Sequence, residues 1–398
     1  MEHPSSSPSE ALSGDHLAAI ERLRSRFAQL PDRRMAGRVA HRLDEVLLIA
    51  FCSILSDNDA YTDMATFARS QLTWLRTFLP LVNGPPSHDV FRNVFIALQP
   101  QTLLDILCAW CGELAGQQVV IDGKALRGTA ATATGKSMVH VLRAWVHAAG
   151  ISAGHAVCSE KSNELDALPR LLEALLLKGA TVTIDAMGCH PDIAEQIHLA
   201  GGEYVLALKG NQKGAHEAVV AHFARVDART KATGALPATH HSAATIELSH
   251  GRFERRVCTV TDDLGWFHKS WKWLGLRSVL RVRRTTHRGG TRAALSEETH
   301  YYLASLPASV TRLAALVRHH WSVENSCHYV LDVTFGEDHC QVRDRCAAHN
   351  LCILRELTGR VLRHHPAKKS LRAKRKLAAL DPAFRLSLLA HIPQTPHA

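Results

Sequence analysis

Two aspartates follow short apolar segments that have the length and composition of buried strands. Asp122 follows Val119-Val120-Ile121, and Asp185 follows Thr181-Val182-Thr183-Ile184. Each segment predicts a strand that delivers a carboxylate to its exposed end. A third acid, Glu324, lies far downstream in a segment with a helical pattern of apolar residues. Carboxylates from three separate elements would provide the oxygen ligands that Mg²⁺ prefers.

Carboxylates grouped in this way are suited to the chemistry of phosphodiesters. A phosphodiester resists attack because it is negatively charged and its alkoxide is a poor leaving group. Two divalent ions about 4 Å apart overcome both obstacles, one by activating the nucleophile and one by stabilising the leaving oxygen. The sequence therefore predicts two Mg²⁺ or Mn²⁺ ions held by Asp122, Asp185 and Glu324. Taken singly, the three acids also fit a turn, a helix cap and an ion pair on a helix, respectively.

The helix around Glu324 supports a second interpretation. His320, Glu324, His328 and Asp332 are spaced four residues apart, so they share one helical face that could bind zinc or a di-iron centre. A di-metal site between helices needs this pattern on two helices, and the sequence has it once. A zinc hydrolase therefore stays an alternative to the magnesium site.

The cysteines and the charge balance narrow the class of protein. Cys108 and Cys111 form a CxxC pair in a predicted helix, but without the second pair that a zinc site needs, so buried thiols are favoured. The formal net charge of +10 favours an anionic partner such as nucleic acid or a membrane surface. The longest apolar run, residues 46–55, is about half the length that spans a bilayer. With no signal-peptide pattern at residues 1–15, we expect a cytoplasmic protein that binds nucleic acid and no membrane.

The order of the predicted elements divides the chain into four parts. Residues 1–15 are polar and predicted to be disordered, and residues 16–115 are predicted to form a small all-helical domain. From residue 116 to 365, three strands followed by alternating helices and strands predict a mixed sheet covered by helices. A β-rich insertion is expected at about 213–300. Residues 366–398 form a basic tail, which is either a solvated surface or a further contact with phosphates.

Basic and polar residues close to the predicted strand ends are candidates for contacting DNA. The segment 209–212 follows a strand, and the segment 249–255 offers two guanidinium groups, which bind phosphate well. Trp321 could stack on an unpaired base, although a tryptophan in the core fits as well. The predicted DNA-binding residues are Lys124, Lys209, Asn211, Gln212, Arg252, Arg318, His320 and Trp321.

A set of motifs occurs in a fixed order along the chain. The helical front contains Leu30-Pro31-Asp32-Arg33 and Pro86-Ser87-His88-Asp89-Val90-Phe91. The motifs that follow are Val120-Ile121-Asp122-Gly123-Lys124, Glu160-Lys161-Ser162-Asn163-Glu164, Thr183-Ile184-Asp185-Ala186-Met187-Gly188, Ala207-Leu208-Lys209-Gly210-Asn211-Gln212, His250-Gly251-Arg252-Phe253-Glu254-Arg255, His320-Trp321-Ser322-Val323-Glu324-Asn325 and Leu331-Asp332-Val333-Thr334-Phe335-Gly336-Glu337-Asp338. Together they resemble the DDE transposases of bacterial insertion sequences, in the ISAs-type branch that includes the H-repeat-associated proteins. The helical front resembles the N-terminal associated domain of that branch.

This resemblance implies a fold, an activity and a set of site residues. The fold would be α/β, with a ribonuclease H-like mixed-sheet catalytic core, a β-rich insertion and a small all-helical domain, the better candidate for reading the DNA ends, in front. The activity would be metal-dependent cleavage at the ends of the element and transfer of a 3′ hydroxyl to target DNA. Asp122, Asp185 and Glu324 would be the metal-binding triad. A homodimer on DNA, associated with the bacterial nucleoid, is expected because two ends must be held together.

The sequence departs from the broader group of related transposases around the glutamate. That group has Tyr seven residues before the glutamate, Arg four before it and Lys seven after it, where this chain has Val317, His320 and Leu331. Either His320 takes the place of the arginine with help from a neighbouring base, or the DNA ends are recognised differently. Glu337 and Asp338 are alternative acids for the third ligand.

Two other functions fit the same motifs. One is a DNA-binding protein descended from a transposase, with its chemistry lost or unused. The other is a plain metal-dependent nuclease of the same fold, which would cut DNA without joining the products.

Overall fold

The computed structural model of the chain describes residues 13–35, 37, 39–130, 138–158, 164–249, 252–288 and 294–393. Most of the predicted disordered N-terminus, residues 1–12, lies outside this range, as do residues 160–163 of one motif and residues 250–251 of another. The side chain of Arg252 also lies outside the described part. Residues 14 and 15, expected to be disordered, belong to the first helix because Ser13 caps it through a hydrogen bond from the His16 amide.

The front of the described chain is helical, as predicted. Its second helix is buried along its whole length, from Leu43 to Leu55. The longest apolar run of the sequence is therefore the middle of a helical core, and no described helix is long and apolar enough to cross a membrane. The six helices are α1 (Gly14–Ala28), α2 (Leu43–Leu55), α3 (Tyr61–Ser70), α4 (Leu72–Leu75), α5 (His88–Ala97) and α6 (Pro100–Ala109).

A single mixed sheet of nine described strands follows, in the spatial order β3-β2-β1-β4-β5-β9-β8-β7-β6. The pairs β1–β4 and β4–β5 are parallel, and all other neighbours in the sheet are antiparallel. The strands are β1 (Gln118–Leu126), β2 (Val139–Val146), β3 (Ile151–Cys158), β4 (Thr181–Ile184), β5 (Glu203–Leu208), β6 (His240–Ser249), β7 (Arg252–Thr261), β8 (Ser278–Arg288) and β9 (Ala294–Ala304).

The region expected to be a β-rich insertion continues this sheet. Strand β9 pairs with β5 through residues 301–304 and with β8 along its length, so β6 to β8 extend the same sheet. A β-rich segment was expected from about residue 213. The first part of this expectation was wrong, because residues 213–233 form a long helix, α9 (Lys213–Thr233). Its buried face includes Ala215 and His222 beside Val219 and Phe223, and this mixed composition weakens the helical pattern in the sequence.

Helices cover both faces of the sheet. Helices α7 (Glu164–Glu173), α8 (Pro191–Leu199) and α9 cover one face of β1 to β5. The other face packs on the helical front and on α11 (Arg345–His364), with which it shares one apolar core. Helix α10 (Val310–Val323) lies across the sheet and continues into two π-helical turns, Glu324–His328 and Val330–Thr334, called here the π segment (324–334). Such wide turns are rare and are often found at functional sites.

The predicted basic tail folds as two helices, α12 (Leu371–Leu380) and α13 (Pro382–Leu389). Two cations of the basic run are buried instead of solvated. The Lys374 ammonium donates to the Leu362 and His365 carbonyl oxygens, at 2.7 Å each. The Arg375 guanidinium donates to the Ile54 carbonyl oxygen at 2.9 Å and stacks over Phe335. These cations satisfy carbonyls that the ends of α11 and α2 leave without helical partners.

Candidate active site

The pairing of β1 with β4 places the two predicted aspartates side by side. Ile121 pairs with Ile184 in parallel register, and Asp122 and Asp185 are the next residues of the two chains. Since neighbouring strands lie about 4.8 Å apart, the two carboxylates project from adjacent backbone positions. The sequence predicts that β1 ends at Asp122, but the strand continues to Leu126 as a partner of β2. Asp122 therefore lies where β1 passes beyond the end of β4.

Each aspartate is oriented by a backbone amide. The Gly123 amide donates to Asp122 Oδ1 at 2.9 Å, and Asp122 Oδ2 lies 3.5 Å from His328 Nδ1. The Met187 amide donates to Asp185 Oδ1 at 3.1 Å, which caps the short helical turn after β4. Both side chains are partly exposed, so ligands from solvent can reach them.

The predicted face of α10 and the π segment meets the ends of these strands. His320 Nδ1 lies 3.0 Å from the Thr183 hydroxyl on β4, and His328 contacts Asp122 on β1. Glu324 lies between the two histidines in the chain and is exposed. Within the described parts of the chain, no hydrogen bond or ion pair engages the Glu324 carboxylate. Its carboxylate is thus available for a ligand beside the two strands that carry the aspartates.

The fourth residue of this face, Asp332, forms an ion pair with Lys124 of β1. Except for Glu324, each member of the face therefore has its own partner on the sheet, and the four do not converge on one another. This arrangement docks the helix on the sheet. It argues against the zinc or di-iron interpretation, which needs the four side chains to share an ion.

Both histidines of this face are neutral at neutral pH. Burial lowers the pKa of His320 to about 4, although the nearby Asp185 carboxylate acts in the opposite direction. Burial also lowers the pKa of His328 to about 3, and the charges of Arg143 and Lys124 act in the same direction. The imidazole of His320 is held against Thr183, and its expected replacement of a DNA-contacting arginine stays a prediction.

The alternative acid Glu337 is already neutralised by protein cations. Arg143 Nη2 donates to both Glu337 oxygens, at 2.9 and 3.1 Å, and Lys124 Nζ lies 3.4 Å from Oε2. Burial raises the pKa of the Glu337 carboxyl, but the charges of Arg143 and Lys124 outweigh it and the pKa is lowered. In the other alternative acid, Asp338, Oδ1 lies 3.8 Å from Lys124 Nζ and Oδ2 lies 3.7 Å from Arg127 Nε. Glu324 is therefore the more available third acid.

A second group of possible metal ligands lies in the core. Within the described residues it is the one such group of three, His155, Cys352 and Glu356, whose ligand atoms all lie within 4.8 Å of one another. The Arg143 guanidinium occupies it, donating to Glu356 Oε1 at 2.8 Å and to Cys352 Sγ at 2.6 Å. We interpret the group as a buried ion-pair network. Sequence analysis overlooked it, although an arginine in the apolar strand β2 was a signal, since unpaired charges are almost never buried.

The two cysteines of the CxxC pair are half-buried free thiols, where the favoured interpretation expected buried ones. The Cys108 and Cys111 thiols donate to the carbonyl oxygens of Ala153 and Ser152, at 2.6 and 3.1 Å. Burial raises the pKa of the Cys108 thiol to about 12. Both thiols are thus protonated at neutral pH, which disfavours metal binding.

The loop after β5 is fastened to the loop that carries Asp185. Asn211 Nδ2 donates to the Ala186 carbonyl oxygen at 2.6 Å, and Gln212 Nε2 lies 3.4 Å from His190 Nδ1. These amides hold the loop, and Lys209, which follows β5 beyond its last residue paired with β4, is exposed. Of this loop, Lys209 is therefore the residue best placed to meet a phosphate.

The remaining candidates for DNA contact differ in accessibility. Arg318 is half exposed but forms an ion pair with Glu247 at 2.9 Å. The Lys124 side chain is 9% exposed and surrounded by acids, so a contact with DNA would require its ion pairs to break. Trp321 is 48% exposed and lies at the edge of a cavity of about 760 Å³ between α10 and the strands β6 to β9. Trp321 thus presents an open aromatic face close to Glu324.

Comparison with known proteins gives consistent relationships over nearly the whole chain. The family described as "Transposase DDE domain" matches residues 115–358, and the family described as "DDE_Tnp_1-associated" matches residues 24–111. The "H repeat-associated putative transposase YhhI" of Escherichia coli (strain K12) is 31% identical over 386 residues, which cover 93% of this chain and 98% of that protein. The "Putative transposase YncI" of Escherichia coli O157:H7 is 31% identical over 380 residues, 94% of this chain and 95% of that protein.

Proposed function

Because the chain belongs to the DDE transposase family, we propose that it is a DNA transposase that cleaves at the ends of an insertion sequence and joins them to target DNA. The family match covers residues 115–358, which include all three candidate acids. Two DNA ends have to be processed together, so a homodimer on DNA at the bacterial nucleoid is part of the proposal. The net charge of +10 supports a polyanionic partner.

Asp122, Asp185 and Glu324 are the proposed ligands of two Mg²⁺ or Mn²⁺ ions. The observation that carries this assignment is the register of β1 and β4, which makes the two aspartates neighbours at the end of β4. Glu324 completes the set because its exposed carboxylate lies on the helix docked against these strands. Three partly exposed carboxylates are a donor set that suits Mg²⁺. When bound, such ions supply activation of the attacking oxygen and stabilisation of the leaving oxygen.

The five strands around the site support the finer inference of a ribonuclease H-like core. Their order is β3-β2-β1-β4-β5, with β1, β4 and β5 parallel and β2 antiparallel to β1. The sequence predicts a mixed sheet covered by helices, and the strand order and directions add detail that supports the proposed core. The protein's own residues would then orient the DNA strand, with Lys209 after β5 binding a phosphate and Trp321 stacking on a base.

Cleavage and strand transfer on a DNA fragment that carries the native element ends would test the function. We expect the wild-type protein to cut and join this DNA with Mg²⁺ or Mn²⁺. The variants Asp122→Asn, Asp185→Asn and Glu324→Gln should bind the ends and leave them uncut. Glu173→Gln is a matched control, because Glu173 is an exposed glutamate at the end of α7, which precedes β4 and therefore lies towards the opposite end of that strand from Asp185. It should cleave as the wild type does.

The same assay separates the alternatives. Cutting without joined products would indicate a plain nuclease, and binding without cutting under either metal would indicate a DNA-binding protein. Retained cleavage by Glu324→Gln would move the third ligand to Glu337 or Asp338.

A further inference from the structure

The structure assigns to Lys124 a positioning role in the metal site. We propose that the Lys124 ammonium fixes the π segment (324–334) against β1 and thereby sets the place of the Glu324 carboxylate and the affinity for metal. This inference rests on the proposed function, since it concerns the same three carboxylates. It differs from the predicted role of Lys124 as a contact to DNA.

The Lys124 side chain is largely covered by the protein and is surrounded by acids. It follows Asp122 by two residues on β1, so both side chains project from the same face of the strand. Its ammonium forms an ion pair with Asp332 and lies 3.4 Å from Glu337 Oε2 and 3.8 Å from Asp338 Oδ1. A lysine with only 9% of its side chain exposed and three acidic neighbours is held in place by them, and it is not presented to solvent.

The Lys124–Asp332 pair acts on the segment that begins at Glu324. Asp332 belongs to the second π-helical turn, and Glu324 opens the first. On the adjacent side of the same segment, Cys327 and Leu331 are buried in the helical core. The first π-helical turn is also held by polar contacts, because His328 Nδ1 lies 3.5 Å from Asp122 Oδ2 and Arg363 donates to the Ser326 carbonyl oxygen at 2.9 Å. The ion pair of Asp332 with Lys124 fixes the second turn to β1. Glu324, which has no partner within the described chain, takes its position from the segment.

Glu337, one of the acids around Lys124, is itself held by a second cation. Glu337 accepts two hydrogen bonds from Arg143, and Arg143 donates through Nε to Glu356 of α11. Arg143 is fully buried on β2, directly opposite Asp122 in the antiparallel register. A chain of ion pairs therefore connects α11, β2 and β1 with the π segment. Supporting groups of this kind orient metal ligands without touching the metal.

The direction in which metal affinity changes when the Lys124 charge is removed separates a positioning role from simple charge repulsion. A lysine ammonium close to Asp122 repels a divalent cation, so removing its charge should tighten metal binding if charge were its whole effect. If Lys124 positions Glu324, its removal should weaken metal binding, because the third ligand is no longer held in place. The two effects have opposite directions.

The experiment is a titration of the full-length protein with Mn²⁺, without DNA, in which free Mn²⁺ is measured by electron paramagnetic resonance. We expect Lys124→Met to bind Mn²⁺ about 10-fold more weakly than the wild type, the usual size of such a supporting effect. Lys124→Arg, which keeps a cation that can reach Asp332, should restore most of the affinity. A thermal unfolding curve establishes that each variant is folded. Should Lys124→Met not fold, Lys124→Gln, whose amide can donate to Asp332, takes its place.

Lys374→Met is the matched control, since Lys374 is a buried lysine that caps carbonyl oxygens at the end of α11. It should lower stability and leave Mn²⁺ affinity unchanged. Unchanged or tighter Mn²⁺ binding by Lys124→Met would overturn the positioning role while leaving the metal site intact. A wild-type protein that binds Mn²⁺ no better than Asp122→Asn would overturn the proposed metal site, and this inference with it.

Discussion

A glutamate that binds metal ions has to be accessible, whereas a glutamate in a buried ion pair is compensated by its partner. Glu324 is exposed, and Glu337 is 1% exposed and bonded to Arg143. We therefore expect Glu337→Gln to lower the free energy of unfolding by about 3–5 kcal/mol, because it leaves buried cations uncompensated. Glu324→Gln should change it by less than about 0.5 kcal/mol, as surface substitutions usually do.

Urea denaturation at pH 7 measures both effects. Comparing the freely fitted slopes of the two variants with the wild-type slope would also show whether the unfolded state has changed. A stable Glu337→Gln variant that no longer binds Mn²⁺ would reverse the assignment of the third ligand, making Glu337 the ligand and Glu324 a surface residue.

The lowered pKa of His349 on α11 makes the stability of the protein depend on pH. Burial lowers its pKa to about 3, and the neighbouring His155 and Arg143 act in the same direction. Between this value and the unfolded value of about 6.5, the unfolded chain binds a proton that the folded chain excludes. Stability is therefore fully present above pH 6.5 and falls as the pH is lowered towards 3, by up to about 1.4 kcal/mol per pH unit for this one group.

Urea midpoints at several pH values between 7.5 and 4.5 would test this dependence. His349→Gln should be less stable than the wild type at pH 7.5 if packing is lost, but its stability should fall less steeply with acid. Equal slopes for the two proteins would mean that His349 is protonated in the folded state.

Single residues also show what the sequence could and could not predict about the site. Both aspartates were found because an apolar run followed by an acid is a local pattern, and the structure brings them to adjacent positions. The partners of Lys124 were not found, since Asp332 and Glu337 lie far away in the sequence. Pairing across such distances is fixed by the fold of the sheet and the π segment, which local spacing does not encode.

At the scale of elements, the basic run 368–376, which leads into α12, combines two kinds of cation. Lys374 and Arg375 are buried and bonded to carbonyl oxygens, whereas four others face solvent. We expect alanine at all four exposed positions to leave the unfolding midpoint unchanged and to reduce the salt dependence of DNA binding, because fewer counterions are released. Arg375→Met should instead destabilise the protein by about 3–5 kcal/mol, since it removes the closer of the two arginines beside Asp59 and the donor to the Ile54 carbonyl oxygen. The exposed cations are Lys368, Lys369, Arg372 and Lys376.

Binding to a DNA duplex at several salt concentrations, together with urea denaturation, measures the two effects on the same proteins. An unchanged salt dependence in the fourfold variant would show that α12 lies away from the DNA and that its exposed cations are a solvated surface.

Elements whose apolar residues recur at regular spacing were predicted from sequence. Elements whose buried face also contains small or polar residues were not. Strands β1 to β5 lie close to the predicted positions because their apolar runs are short and separated by turns. Helix α9 was missed because its buried face contains alanine and histidine. The two π-helical turns were also missed, although Val323, Cys327, Leu331 and Phe335 recur every four residues in the sequence. This spacing is wider than the α-helical period and suits a wider turn.

At the scale of the whole molecule, the helical front and the sheet share one apolar core. Buried residues of α2, α5 and α6 lie in the same cluster as residues of β1, β2, α11 and the π segment. Helix α11 is buried along most of its length between them. Its Asn350 side chain donates to the Phe95 and Leu98 carbonyl oxygens at the end of α5, at 2.9 and 2.8 Å. The boundary near residue 115 therefore crosses a continuous core.

This core predicts how the protein unfolds. A fragment of residues 16–115 would expose the surfaces of α2, α5 and α6 that α11 covers. It would also lose the hydrogen bonds that Asn350 and Arg375 donate to its carbonyl oxygens. We expect the full chain to unfold in a single transition in urea, with coincident curves from circular dichroism and tryptophan fluorescence. The isolated fragment should show helical signal without a cooperative transition. Two separate transitions, or a fragment as stable as the whole, would show that the helical front folds independently and reads DNA as a separate module.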